Sequence, residues 1–138
     1  MLSPVHQAVY TIPSMGGKAT QVTPADGLAF SLGWTPDGKK IYLTYNDKLS
    51  SISAEGGKIS AIPINGKGSE HRVSVSPDGK KLLFIMAKEG VEGFHIWTVS
   101  TEGGEPIQLT QSPLYDSYPC WSPDGTQIAF IRHKQSVI

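Results

Sequence analysis

Residues able to do acid–base, nucleophilic or metal chemistry are few in this 138-residue chain, and their spacing assembles none of the familiar catalytic sets. The four histidines, His6, His71, His95 and His133, share no metal-ligand spacing, and no Cys-x-x-Cys is present. Cys120 is the one cysteine, so no intrachain disulfide can form. It sits beside Trp121 in an apolar run with no activating neighbour, and is expected to be a buried structural thiol. The nucleophile elbow Gly-x-Ser-x-Gly is absent. Gly66-Lys67-Gly68-Ser69 has Ala61 where a phosphate loop needs its leading glycine and Gly68 where it needs Ser or Thr after the lysine, so it reads as a polar turn. No metal, no cofactor and no catalytic residue is expected.

What is left is a set of residues suited to contact. Glu70 and His71 close the stretch Asn65–His71. Tyr115 and Asp116 close the stretch Gln111–Asp116, and Tyr118 follows. Aromatics beside acids and an imidazole on loops are the chemistry of a binding surface, because loops on a rigid scaffold carry recognition. Glu70, His71, Tyr115, Asp116 and Tyr118 are therefore the candidate binding-face residues. The scaffold beneath them has to be inferred.

That scaffold is announced by a repeat. Thr35-Pro36-Asp37-Gly38, Ser76-Pro77-Asp78-Gly79 and Ser122-Pro123-Asp124-Gly125 alternate with Gly16-Gly17, Gly56-Gly57 and Gly103-Gly104. The distance from Gly17, Gly57 and Gly104 to the next proline is 19, 20 and 19 residues. Proline presets φ at the second turn position, aspartate bonds back to the local backbone, and glycine takes positive φ. Asp37, Asp78 and Asp124 are thus expected to be structural. The distance from proline to the next glycine pair is 20 residues in one unit and 26 in the next. The extra residues fall on Lys88–Gly93, an extended hairpin loop.

Short apolar runs fill the space between turns. Ile41–Tyr45, Leu82–Met86 and Ile128–Ile131 follow the Pro-Asp-Gly turns, and Val9–Ile12, Leu49–Ile52 and Ile96–Val99 precede the glycine pairs. Each unit yields four short strands, with apolar residues on both faces of the inner ones, and no segment carries a helical period. A forty-odd-residue period of strands and turns is the mark of a β-propeller blade array.

The third unit carries a resemblance in its own residues. Leu109-Thr110, Asp116 through Gly125 and Ile128-Ala129-Phe130 resemble the WD-like β-propeller repeat of the TolB family. The other two units are similar, with Val75 in place of the tryptophan, and Glu70 and Ala29 where Asp116 stands. The resemblance implies a non-catalytic scaffold for protein or peptide partners, six blades in the finished ring and, by family analogy, a periplasmic setting. Related propellers occur in prolyl-oligopeptidase-like and tricorn-like hydrolases, where they gate substrate to a separate catalytic domain.

Composition narrows the partners. Twelve basic and twelve acidic residues leave no net charge, so no nucleic-acid surface is expected, and no apolar run is long enough to span a membrane. Met1–His6 lacks the pattern of a secretory leader. The expected organisation is an outer half-blade over 1–24, blades over 25–64 and 65–110, and an inner half-blade over 111–138. Propellers close with about four to eight blades. The ring is therefore expected to be completed by dimerisation with a second copy, or within a longer chain.

Overall fold

The computed structural model describes residues 5–134. The first four and last four residues lie outside it, and with them most of the N-terminal run read for a leader. Twelve strands and no helix occur among the described residues. In chain order they are β1 (Tyr10–Thr11), β2 (Thr20–Gln21), β3 (Ala29–Trp34), β4 (Lys40–Tyr45), β5 (Lys48–Ser53), β6 (Ser60–Ala61), β7 (Gly68–Val75), β8 (Lys81–Lys88), β9 (His95–Ser100), β10 (Ile107–Gln108), β11 (Asp116–Trp121) and β12 (Ile128–Arg132). They form four antiparallel sheets: β1-β2, β3-β4-β5-β6, β7-β8-β9-β10 and β11-β12.

The turns fold as their chemistry requires. In the first, the Thr35 carbonyl accepts from Gly38 N at 2.9 Å. Asp37 Oδ1 accepts from Thr35 Oγ1 at 2.6 Å and from Lys39 N at 3.0 Å. Ser76–Asp78 and Ser122–Asp124 repeat the arrangement. Gly38, Gly79 and Gly125 take φ of 71° to 72°, a left-handed conformation that an L side chain adopts at a cost. The hydrogen bonds hold all three carboxyls below the usual carboxylate range, Asp124 at about 2.

Three apolar layers lie between successive sheets. Val9 and Val22 pack on Ile41, Leu43 and Ile52. Tyr42 and Leu49 pack on Leu82, Phe84, Met86, Trp97 and Val99. Leu83, Ile85 and Ile96 meet Trp121 and Ile128. Alternate residues of β4 and β8 thus serve two different layers, which is why both strands carry apolar side chains on both faces.

The terminal two-stranded sheets behave differently. Ile12, Ile52 and Val99 hold the same place before their glycine pairs, yet Ile12 is 58% exposed while Ile52 and Val99 are 2% and 4%. Ile131 is 54% exposed where its counterpart Ile85 is 3%. Cys120 is exposed, not buried as its apolar neighbours suggested. It lies on β11 on the face opposite Trp121, where its counterpart Gly33 meets Val75 of the following sheet, and among the described residues no sheet follows β11-β12. The two-sided burial expected of the inner strands likewise fails on β12, which is largely exposed.

Candidate functional site

Each inner strand carries a β-bulge at one place in the repeat. Register shifts fall between Phe30 and Leu32, between His71 and Ser74, and between Ser117 and Cys120. The bulge residues Ser31, Arg72 and Tyr118 all have positive φ, at 53°, 60° and 53°. None is glycine, and a left-handed side-chain-bearing residue costs on the order of 1 kcal/mol. The three side chains share one groove of about 240 Å³ with Val73 and Pro119. Within it Arg72 donates to the Tyr118 hydroxyl at 3.1 Å, and its guanidinium stacks 4.4 Å from the ring centroid.

Beside this groove opens a larger cleft of about 480 Å³, between β3–β6 and β7–β10. Its floor and walls are Leu28, Phe30, Ile85, Phe94 and Tyr115, and its polar rim is Asp47, His71 and Arg72. The cleft lies at the ends of the strands where the connections between sheets meet the β4–β5 and β8–β9 hairpin loops. Asn46 and Asp47 make the first hairpin tight, both with positive φ. The second is longer, with residues 89–94 between β8 and β9. Its last residue, Phe94, reaches the cleft. The Phe94 ring stands 5.9 Å from the His71 ring and meets Tyr115 edge-on at 5.1 Å. Tyr115 in turn meets His133 at 5.1 Å. His71 Nε2 lies 3.8 Å from Asp47 Oδ1.

The five residues singled out from sequence separate into two groups. His71 and Tyr115 line the cleft, and Tyr118 lines the adjoining groove. Glu70 and Asp116 lie at the starts of strands β7 and β11, not in loops, and both are buried. Arg132 binds Asp116 through both oxygens at 2.7 and 3.0 Å, which holds the carboxyl below its usual range. Glu70 Oε2 accepts from Leu49 N at 2.8 Å, and Oε1 lies 3.4 Å from Lys48 Nζ.

The role of Glu70 follows from the repeat. Val9, Leu49 and Ile96 occupy one position, and each buried N–H needs an acceptor. For Val9 it is Thr23 Oγ1 at 2.9 Å, and for Ile96 it is Thr110 Oγ1 at 3.0 Å. Proline 63 stands in the corresponding place of the middle unit and has no hydroxyl. Glu70 reaches across from the next sheet to supply the missing acceptor.

Arg72, Phe94, Phe30, Leu28 and Asp47 were not identified from sequence as site residues. The long loop before Phe94 was visible as a spacing change. The bulge that turns Arg72 towards the groove leaves no compositional trace. Among the described residues no group of three or more His, Cys, Asp or Glu could hold a metal ion, and no helix is long and apolar enough to cross a membrane.

Comparison with known proteins agrees with the propeller fold. Over 53 residues, 38% of the chain, it is 49% identical to the Uncharacterized peptidase YuxL of Bacillus subtilis (strain 168). Over 128 residues, 89% of the chain, it is 26% identical to a protein TolB homolog of Chlorobium luteolum. The chain spans only 8% and 28% of those two proteins. The crystal structure of TolB from Acinetobacter baumannii superposes with a TM-score of 0.79 at 22% identity, over 96% of this chain and 33% of that one. The TolB beta propeller domain description matches residues 4–137. The chain belongs to the TolB β-propeller domain family.

Proposed function

We propose that the chain is a non-catalytic propeller scaffold that binds a protein or peptide through the cleft between β3–β6 and β7–β10. The observation that supports this reading is the aromatic series His71–Phe94–Tyr115 set at the mouth of an apolar cleft, with Asp47 and Arg72 on its rim. Such a site takes an aromatic or branched aliphatic side chain of an extended peptide, while the rim bonds main-chain and charged groups. The same reading has the ring completed by a second copy of the chain or by further blades of a longer chain.

The test is a random linear peptide library panned over the chain, with the best peptide measured by calorimetry. Phe94→Ala and Tyr115→Ala are expected to weaken it at least tenfold, and Lys58→Ala, far from the cleft, to leave it unchanged. Equal affinity in all four proteins would refute the cleft as the site.

A second reading is favoured by the likeness to peptidase YuxL. In it the same propeller segment gates substrate to a catalytic domain encoded on the same gene. A Gly-x-Ser-x-Gly domain encoded downstream would support that reading. A small α/β domain encoded upstream would support the scaffold.

A further inference from the structure

We infer that Arg72 makes the cleft selective for a peptide carrying an aspartate or glutamate beside its apolar anchor, with the guanidinium forking onto that side-chain carboxylate. The inference rests on the cleft reading and adds to it the chemistry of the partner.

Arg72 is the residue common to both hollows, standing on the rim of the cleft and in the groove with Ser31 and Tyr118. Described strands flank it on either side, β3 with Ser31 and β11 with Tyr118. The chain has two arginines. Arg132 is spent on Asp116, which it holds through both oxygens. Arg72 has no ion-pair partner among the described residues, and its side-chain hydrogen bond there goes to the Tyr118 hydroxyl. A guanidinium carries more N–H donors than that hydroxyl uses, so the rest of the fork is left for a ligand.

The fold itself does not ask for arginine here. Ser31 and Tyr118 hold the same bulge position with φ of 53°, against 60° at Arg72. Serine meets the backbone's demand one unit earlier, so the guanidinium is not what makes the bulge. The bulge and the Tyr118 ring, 4.4 Å away, nonetheless fix where the guanidinium sits. A fork placed in advance loses less side-chain freedom when it binds. Left-handed backbone at a residue other than glycine is the kind of strain that clusters at ligand sites.

Charge complementarity sets the sign of the partner. The groove is lined by Ser31, Arg72, Val73, Tyr118 and Pro119, so its one formal charge is the guanidinium. On the cleft rim, Asp47 lies towards His71, 3.8 Å from its ring nitrogen, while Arg72 lies towards Tyr118. A cleft and a groove that meet at one residue suit a peptide passing over both. Such a peptide presents a side-chain carboxylate to Arg72 rather than its own terminus, and arginine takes a carboxylate through two parallel charge-assisted bonds.

The test uses the panned peptide, made with an amidated C-terminus, and a second peptide with its Asp or Glu replaced by Asn or Gln. Calorimetry on the full chain is expected to show the neutralised peptide binding about tenfold more weakly, the loss of one charge-assisted pair. In Arg72→Ser, a residue the bulge already accepts at Ser31, both peptides are expected to bind equally, at the weaker affinity. Arg72→Lys keeps the charge without the fork and is expected to fall between. Retained β circular dichroism and an undiminished effect of Phe94→Ala would show the cleft intact in these variants. Selected peptides that lack an acid would overturn the inference while leaving the cleft in place. So would an equal loss on neutralisation in Arg72→Ser and the unsubstituted chain, or an affinity that depends on a free C-terminus. Indifference of every peptide to Phe94→Ala and Tyr115→Ala would instead strike the cleft reading, and this inference with it.

Discussion

Replacing Glu70 by alanine removes the acceptor from a buried N–H, and the repeat itself shows how to restore it. The Glu70 carboxylate accepts from Leu49 N at 2.8 Å, and both residues are buried. An unsatisfied buried amide costs about 1–3 kcal/mol. The lost Lys48 contact adds little, because that ammonium is half exposed. Alanine fits sterically at this position, since Ala29 occupies it one unit earlier. The expected loss is about 2 kcal/mol, a fall of roughly 6–8 °C in Tm for a domain of this size. Pro63→Thr should then place a hydroxyl where Thr23 and Thr110 cap their own partners at 2.9 and 3.0 Å. It is expected to recover about 1 kcal/mol of the loss, whereas Pro63→Val, with the same shape and no hydroxyl, recovers none. Urea unfolding followed by tryptophan fluorescence, at one protein concentration and fixed pH, reads all four chains. If valine rescues as well as threonine, the hydrogen-bond exchange argued here is wrong.

Other consequences follow from the same geometry. Arg132→Leu strands the buried Asp116 carboxylate and is expected to lower stability at pH 7. Because Asp116 titrates below its ordinary 3.8 in the fold, the unsubstituted chain keeps that contribution above pH 4 and loses it as pH falls further. The gap between the two proteins in urea titrations should therefore narrow towards pH 3. Thr44→Val removes a buried hydroxyl that has no hydrogen-bond partner among the described residues and is expected to stabilise by about 1 kcal/mol in the same assay. Ser31→Gly relieves a left-handed backbone and should raise Tm by a few degrees, while Ser31→Val should lower it. Cys120 is exposed and should react with a maleimide in the native protein at a rate close to that of the unfolded chain.

Most of the scaffold was legible in the sequence because its signals are local. Pro-Asp-Gly specifies its turn through three neighbouring residues, and Gly103 shows why the glycine pairs recur. Its φ is 93°, and the other five glycines of the pairs also take positive φ, from 88° to 130°; at Gly103 a Cβ would in addition clash with the Pro63 carbonyl oxygen. The two-sided apolar pattern of β4 and β8 likewise reports burial between sheets. The site was less legible. Glu70 and Asp116 look like surface acids in a one-dimensional reading, since their partners, Leu49 N and Arg132, lie 21 and 16 residues away. The bulge at Ser31, Arg72 and Tyr118 places three unlike residues in one unusual conformation, so no residue type marks it. Cys120 and Ile131 read as core because their neighbours are apolar, but their counterparts Gly33 and Ile85 are covered by a following sheet, and among the described residues none follows β11-β12.

The most direct measurement of the binding claim is an amide chemical-shift map of the labelled chain titrated with the panned peptide. The cleft reading predicts the largest changes at Phe30, Asp47, His71, Arg72, Phe94 and Tyr115. Changes centred on the Pro-Asp-Gly turns, at Asp37, Asp78 and Asp124, would place the ligand on the opposite face and contradict it.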